Sequence, residues 1–351
     1  MKRVAPVGLL LLAACDAASA TSCVARGGKG PAGAEQQAAG GQAWAPADPQ
    51  GPPLGGCRVF PPDNPWNQDV SALPVDEALM ASKVRDHMSL GTSIHVDWGT
   101  TKDHYGIPIT VGRAAPPAPL FFHEDGWPDE SDRLRCPGGK GDFCYPIPLG
   151  ARIEGGPDAP RDSDRHVVFV ATDGAPDHCV AYELYNAQRK GAGFEVQAAA
   201  IWKLDSNARR PEGWTSADAA GLPILPGLVR YDEVARGEIT HAIRFTLQRT
   251  ANAYIHPATH AAGTNTTERP PMGARMRLPA SFDTSGFTGA ARVIVTAMKR
   301  YGIILADNGS DWFVTGEEHD GWGDVDDLAA QMKRVKGRDF EFVKTGPVVR
   351  Q

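Results

Sequence analysis

Carboxylates, an aromatic hydroxyl and cations recur at alternate positions of three short apolar segments. In Val180-Ala181-Tyr182-Glu183-Leu184-Tyr185-Asn186, strand alternation assigns Val180, Tyr182 and Leu184 to a core and turns Glu183 and Tyr185 to the opposite face. In the segment from Ile239 to Leu247 the core set is Ile239, Ile243, Phe245 and Leu247, which leaves Thr240, Arg244 and Thr246 opposite. The segment ending Ile201-Trp202-Lys203-Leu204-Asp205 separates Trp202 and Leu204 from Lys203 and Asp205 in the same way. If the three strands are neighbours, one sheet face collects Glu183, Tyr185, Lys203, Asp205 and Arg244. Glycoside cleavage needs such a set: one carboxyl protonates the leaving oxygen, and a second carboxylate attacks or activates water. Glu183 and Asp205 are therefore the candidate catalytic pair. Tyr185 and Arg244 are expected to bind substrate beside them, with Trp98, Trp202 and Trp312 as sugar platforms or core aromatics. The plainer reading of this face is a solvated surface with cross-strand ion pairs.

The histidines divide. His166 opens the apolar run His166-Val167-Val168-Phe169-Val170 beside Asp162, Asp164 and Arg165, where it serves as a general base at a cleft mouth or as a polar cap. His241 shares a face with Ile243 and Phe245 and is expected to be buried. His95 and Asp97, two residues apart, share a strand face. With His104 returning across a turn they form a two-histidine, one-carboxylate set able to hold a divalent metal, the one cofactor the sequence raises. The run Asp307-Asn308-Gly309-Ser310-Asp311 offers oxygen ligands for calcium, but Asn-Gly between apolar strands reads first as a hairpin turn. There is no Gly-x-Ser-x-Gly elbow, phosphate-binding glycine loop or His-Glu-x-x-His.

The elements that must position these residues are short. Apolar segments separated by Gly, Asp and Pro run from 93 to 96, 107 to 111, 120 to 123, 166 to 171, 180 to 186, 196 to 204, 239 to 247, 303 to 306 and 312 to 315. Helical patterns are fewer: 75 to 88, around 216 to 220, around 232 to 236, 289 to 300 and 325 to 335. In the fourth, Ala291, Val293, Ile294, Ala297 and Met298 form a stripe that ends at Tyr301-Gly302. The expected fold is mainly β, a jelly-roll-type β-sandwich with a few edge helices; an α+β sheet protein is the alternative.

The chain begins with Lys2 and Arg3, an apolar run from Val7 to Leu12, and Leu12-Ala13-Ala14-Cys15. This pattern predicts a lipoprotein signal peptide over residues 1–14 and lipidation of Cys15, which would anchor the exported chain in the cell envelope. An ordinary secretory signal cut after Ala18-Ser19-Ala20 is the alternative. Residues 15–56 are rich in Gly, Ala, Gln and Pro, with too little apolar surface to offset ordering entropy, and read as a tether. Residues 57–351 then form one β-rich domain. The 36 lysines and arginines against 42 aspartates and glutamates give a formal charge of −6, which excludes a nucleic-acid partner of the usual basic kind. Among the cysteines, Cys136 and Cys144 flank a seven-residue loop, and Cys57 with Cys179 would tie the domain's first segment to a central strand. Zinc is the rival use, without a close second pair to complete the ligands.

Three segments, Phe60-Pro61-Pro62-Asp63-Asn64-Pro65-Trp66-Asn67, Ser216-Ala217-Asp218-Ala219-Ala220-Gly221-Leu222-Pro223-Ile224-Leu225-Pro226-Gly227-Leu228, and Tyr301-Gly302-Ile303-Ile304-Leu305-Ala306-Asp307-Asn308-Gly309-Ser310, resemble a group of exported bacterial proteins. The resemblance implies export and a single domain from Cys57 onward, and attaches no activity. Taken together, the residues point to an exported lipoprotein that acts on an extracellular polysaccharide by hydrolysis. A polysaccharide lyase is a variant, with Tyr185 or a histidine removing a proton and Arg244 neutralising a uronate. A non-catalytic carbohydrate-binding or envelope scaffold protein is the alternative of a different class.

Overall fold

The computed structural model describes residues 53–173 and 178–351. The signal peptide, Cys15 and most of the tether expected from the sequence lie outside the described residues. The described residues belong to one compact unit.

The largest sheet has six strands in the order His95–Asp97, Phe313–Thr315, Ile243–Leu247, Ile303–Asn308, Arg275–Arg277 and Glu341–Phe342. Its core face carries Val96, Val314, Phe245 and Leu305, which join Ile294, Val295 and Met298 of the helix Gly289–Arg300 in one buried cluster. Each such side chain contributes roughly 1.5–3 kcal/mol by leaving water. The helix has the bounds its apolar stripe predicts, and the chain turns out of it at Gly302. That residue has φ 74°, and a Cβ there would sit 2.3 Å from the Met276 carbonyl oxygen, so only glycine fits.

A central four-stranded sheet runs Ile109–Gly112, Val167–Ala171, Val180–Tyr185 and Ala198–Lys203. Both of its faces are buried. Val168, Val170, Ala181, Ala200 and Trp202 belong to one apolar cluster, and Val167, Phe169, Tyr182, Leu184 and Ala199 to another. A smaller sheet of Cys144–Tyr145, Ala118–Phe122, Gly193–Val196 and Gln188–Lys190 lies beside the second cluster, which takes in Tyr145, Leu120, Phe194 and Val196. Disulfides join Cys57 to Cys179 and Cys136 to Cys144, as the spacing predicted. They are consistent with an exported protein. Among the described residues, no helix is long and apolar enough to cross a membrane.

The chain is thus β-rich, with several sheets and few helices. Four strand pairs are parallel: His95–Asp97 with Phe313–Thr315, Ile243–Leu247 with Ile303–Asn308, Ile109–Gly112 with Val167–Ala171, and Ala118–Phe122 with Gly193–Val196. These parallel pairs stand among antiparallel ones, whereas a jelly roll is built from antiparallel Greek keys alone. Asn308-Gly309 is no hairpin turn either, because the strands on each side of it flank Ile243–Leu247 from opposite edges. The helix expected around 216–220 is a knot of turns. Ser216 Oγ donates to the Leu222 carbonyl at 2.6 Å and accepts from Asp218 N at 2.9 Å, the competition with backbone that Ser and Asp offer in place of helix. The helix expected over 75–88 is split at Ser82 into Glu77–Ala81 and a 3-10 turn, Lys83–His87.

Candidate functional site

The face of the large sheet opposite its core is polar. Asp97 pairs with Thr315, Arg244 lies next in the row and pairs with Ile304. The neighbouring row holds His95, Phe313, Thr246 and Asp307. Asp307 reaches this face through a register shift between Phe245 and Thr246, where Leu305 opposes Phe245 and Asp307 opposes Thr246. Ala306 is the surplus residue of a β-bulge, the device that re-aims a side chain within a sheet. Without it, strict alternation would put Asp307 on the same side as Leu305.

Arg244 is the hub. Its guanidinium takes both oxygens of Asp218, with Nε to Oδ2 at 3.0 Å and a very short Nη2 contact to Oδ1, while Nη1 donates to Thr315 Oγ1 at 2.6 Å. The same Nη2 lies 3.8 Å from Asp307 Oδ2. Arg244 and Asp218 are buried, and the Asp307 side chain is 17 % exposed. Burial, then the charge and hydrogen bond of Asp218, push the Asp307 carboxyl well above the ordinary carboxylate range against the pull of Arg244.

The other side of the cluster comes from the ends of the central sheet. His166 precedes Val167–Ala171; its Nδ1 donates to Glu154 Oε2 at 2.6 Å and its Nε2 to the Ala217 carbonyl at 3.2 Å. Burial alone would lower its pKa, but the Glu154 charge and hydrogen bond lift it to about 9, so the ring is an imidazolium at neutral pH. Burial would likewise raise Glu154, and His166 holds it below its usual value. Tyr185, the last residue of its strand, sits with its ring 5.6 Å from His166 and 6.4 Å from Trp127. Burial, then the charge of Asp164, push its hydroxyl up to about 12. On the sheet side the Tyr105 hydroxyl joins His95 Nε2 at 2.9 Å and hydrogen-bonds Asp97. Burial and the Glu154 charge raise Asp97 to about 6, with the Tyr105 hydrogen bond and Arg244 opposing. The groups lie close enough to feel one another's charge: Asp97 that of Glu154 and Asp164, Asp307 that of Asp164, and His166 that of Arg244. The cluster opens to solvent at Asp164 and at two aromatic rings, Tyr105, 39 % exposed, and Trp127, 40 % exposed.

No family model, curated protein or solved structure matches the chain. The site is therefore read from its own geometry.

Of the residues expected from the sequence, His166, Tyr185 and Arg244 meet here, together with His95 and Asp97. Glu183 and Asp205 do not form a pair. Glu183 faces away from the Leu184 core as predicted, but that side is covered by the segment 215–228 instead of solvent. Its carboxylate is fully buried and accepts from Trp202 Nε1 at 2.9 Å, Ile224 N at 3.0 Å and Leu225 N at 2.9 Å, which makes it a structural anchor for that segment. Asp205 is exposed beyond the end of its strand, whereas Glu183 pairs with Ala200. At about 3.3 Å per residue, the three strand steps from Ala200 to Lys203 alone separate them by roughly 10 Å. Trp98 is no platform. It is 0 % exposed, packed against Gly106, Gly316 and Trp322. Trp202 and Trp312 are buried as well.

The metal set is not assembled, because His104 turns away from His95 and Asp97, with Nδ1 3.8 Å from Glu318 Oε2. Among the described residues, the one group with metal-ligand spacing is Cys57, His178 and Cys179, and its cysteines are joined in a disulfide. The calcium run is divided too: Asp307 faces Arg244, while Asp311 accepts from Gln248 N and Ser89 Oγ. His241 is buried as expected, with Nε2 2.9 Å from Glu233 Oε2.

Sequence reasoning missed Asp307, Asp218, Glu154, Asp164, Tyr105 and Trp127 as members of the site. Asp164, two residues before His166, was the nearest signal. A separate pocket of about 370 Å³, lined among others by Trp66, Trp202, Leu222, Arg210 and Arg275, contains none of the clustered acids.

Proposed function

We propose that the protein is an exported lipoprotein, anchored through Cys15, that hydrolyses glycosidic bonds of an extracellular polysaccharide at the Arg244 cluster. The observation that carries the reading is the convergence of groups that hold protons differently, bordered by exposed aromatic rings. Asp307 is pushed well above the ordinary carboxylate range, Asp97 titrates near 6, and the His166–Glu154 pair stays charged. Acid and base forms of carboxyl groups thus coexist at one pH, as protonation of a leaving oxygen and activation of water require. Tyr105 and Trp127 offer ring faces for sugar stacking at the open edge.

The placement of Tyr185 beside His166 favours the lyase variant as a second reading, with the tyrosine as the proton-transfer group. Asp97, Asp164 and Asp307 would face a uronate, however, and Arg244 is already committed to Asp218, so a neutral glycan suits the cluster better. The test is incubation of the purified chain with a polysaccharide panel, reading new reducing ends beside the absorbance of unsaturated uronates. Reducing ends without unsaturated products are expected. Unsaturated products would move the assignment to the lyase. Silence with glycan retained in a pull-down would make the protein a carbohydrate-binding module.

A further inference from the structure

We infer that Asp218 and Asp307 share one proton over the Arg244 guanidinium, and that Asp307, the partner open to solvent, is the group that delivers a proton to the bound substrate. The delivery step rests on the hydrolase reading; the shared proton does not.

The argument is one of charge balance in a buried place. Asp218 occupies two edges of the guanidinium with both oxygens, and the third meets Thr315 Oγ1. Asp307 approaches the same Nη2 at 3.8 Å, beyond a good hydrogen bond, so it shares the cation without taking it from Asp218. Two carboxylates on one buried guanidinium leave one negative charge unmatched, and a proton between them removes it. Among the charges that act most strongly on Asp307, Arg244 is the one cation. Asp164 adds repulsion, Tyr185 is neutral at ordinary pH, and Thr246 Oγ1 donates instead to the Ser310 carbonyl. Asp218 is completely buried, which leaves Asp307 as the member that a ligand can reach.

In the reaction, the Asp307 proton passes to the glycosidic oxygen as the anomeric C–O bond breaks and its electron pair goes to the leaving oxygen. Water adds to the anomeric carbon and loses a proton to solvent through a second carboxylate, and the pair recovers its own proton from solvent. Arg244 and Asp218 act through Asp307, as positioning residues.

The test is a carboxyl titration of the whole chain labelled with carbon-13 at the aspartate carboxyls, with kinetics on any polysaccharide the panel identifies. One aspartate signal is expected to titrate above that of Asp97, and to vanish in Asp307→Asn. That variant breaks no close ion pair, so its fold is expected to survive; kcat should fall at least about 100-fold with KM nearly unchanged. In Asp218→Asn the Asp307 signal should drop by a unit or more. The wild-type titration decides the shared proton even where a variant does not fold. A wild-type chain with no aspartate signal above that of Asp97 overturns the inference, as does a signal that persists in Asp307→Asn. A high signal with a silent panel upholds the shared proton and overturns the hydrolase reading alone.

Discussion

The Trp202 indole N–H donates to the Glu183 carboxylate at 2.9 Å, and the two side chains, both buried, clamp the strand pair to the segment that carries Asp218. Ile224 N and Leu225 N donate to the same carboxylate from that segment. A glutamine here would present an amide donor to at least one of these donors. Glu183→Gln is therefore expected to destabilise the fold by about 1–3 kcal/mol. Activity per folded molecule should persist. Urea denaturation and kinetics on the folded fraction measure the two separately; loss of turnover at unchanged stability would return Glu183 to the catalytic set.

Stability should fall as pH rises from mildly acidic to alkaline. Burial raises Glu183 and Glu317 to about 7 from 4.5, and Asp97 to about 6 from 3.8. A carboxyl raised in the folded state contributes fully below its unfolded value and loses that contribution as pH climbs through the folded one. His166, at about 9 against 6.5, runs the same way: its contribution is whole below 6.5 and is lost through 9. Glu154, held low, opposes only at the acid end. Calorimetric scans should place the highest Tm near pH 5, with a steady decline to pH 9. In Glu183→Gln the part of that decline between 4.5 and 7 should shrink. A flat profile over this span contradicts the charge states assigned here.

Tyr105→Phe removes the hydroxyl that joins His95 to Asp97. That hydrogen bond lowers the Asp97 pKa, so its loss should move the Asp97 titration above 6. In the proposed hydrolase, the acid limb of the kcat/KM profile should shift upward with it, provided Asp97 acts as a base. An unmoved limb removes Asp97 from that role and leaves Asp164 as the next carboxylate.

The disulfides should differ in weight. Cys57–Cys179 spans 122 residues and Cys136–Cys144 only 8. Loop-closure entropy assigns about 5 kcal/mol to the first and about 2.5 kcal/mol to the second. Paired Cys→Ser replacement at 57 and 179 should lower Tm by clearly more than replacement at 136 and 144. An equal loss would mean that the unfolded chain is already compact around the longer loop.

Much of the scaffold was legible because local periodicity governs it. The helix Gly289–Arg300 and the inward set Val180, Tyr182 and Leu184 followed from spacing alone. The site was half legible: spacing marks His166, Tyr185 and Arg244, and leaves their partners unmarked. Alternation says which side chains share a face and nothing of what covers it. Alternation alone therefore leaves Glu183 open to solvent, although the 215–228 segment lies over it. Asp218 escaped because a Ser-Ala-Asp-Ala-Ala run has helical propensity, which the Ser216 side chain overrides. The pairing of Glu154 with His166 joins a loop to a strand end, a relation no local pattern encodes.

Leu305 and Asp307 stand two apart in one strand and occupy opposite environments, one in the apolar core and the other beside Arg244. Ala306, the odd residue between them, makes that possible. In a strand lacking the surplus residue, an acid meant for Arg244 would have to follow Leu305 directly. Equivalence between this chain and any other built on the same sheet therefore has to be counted from the guanidinium outward: a difference of one residue in length would relocate the acid without altering the chemistry.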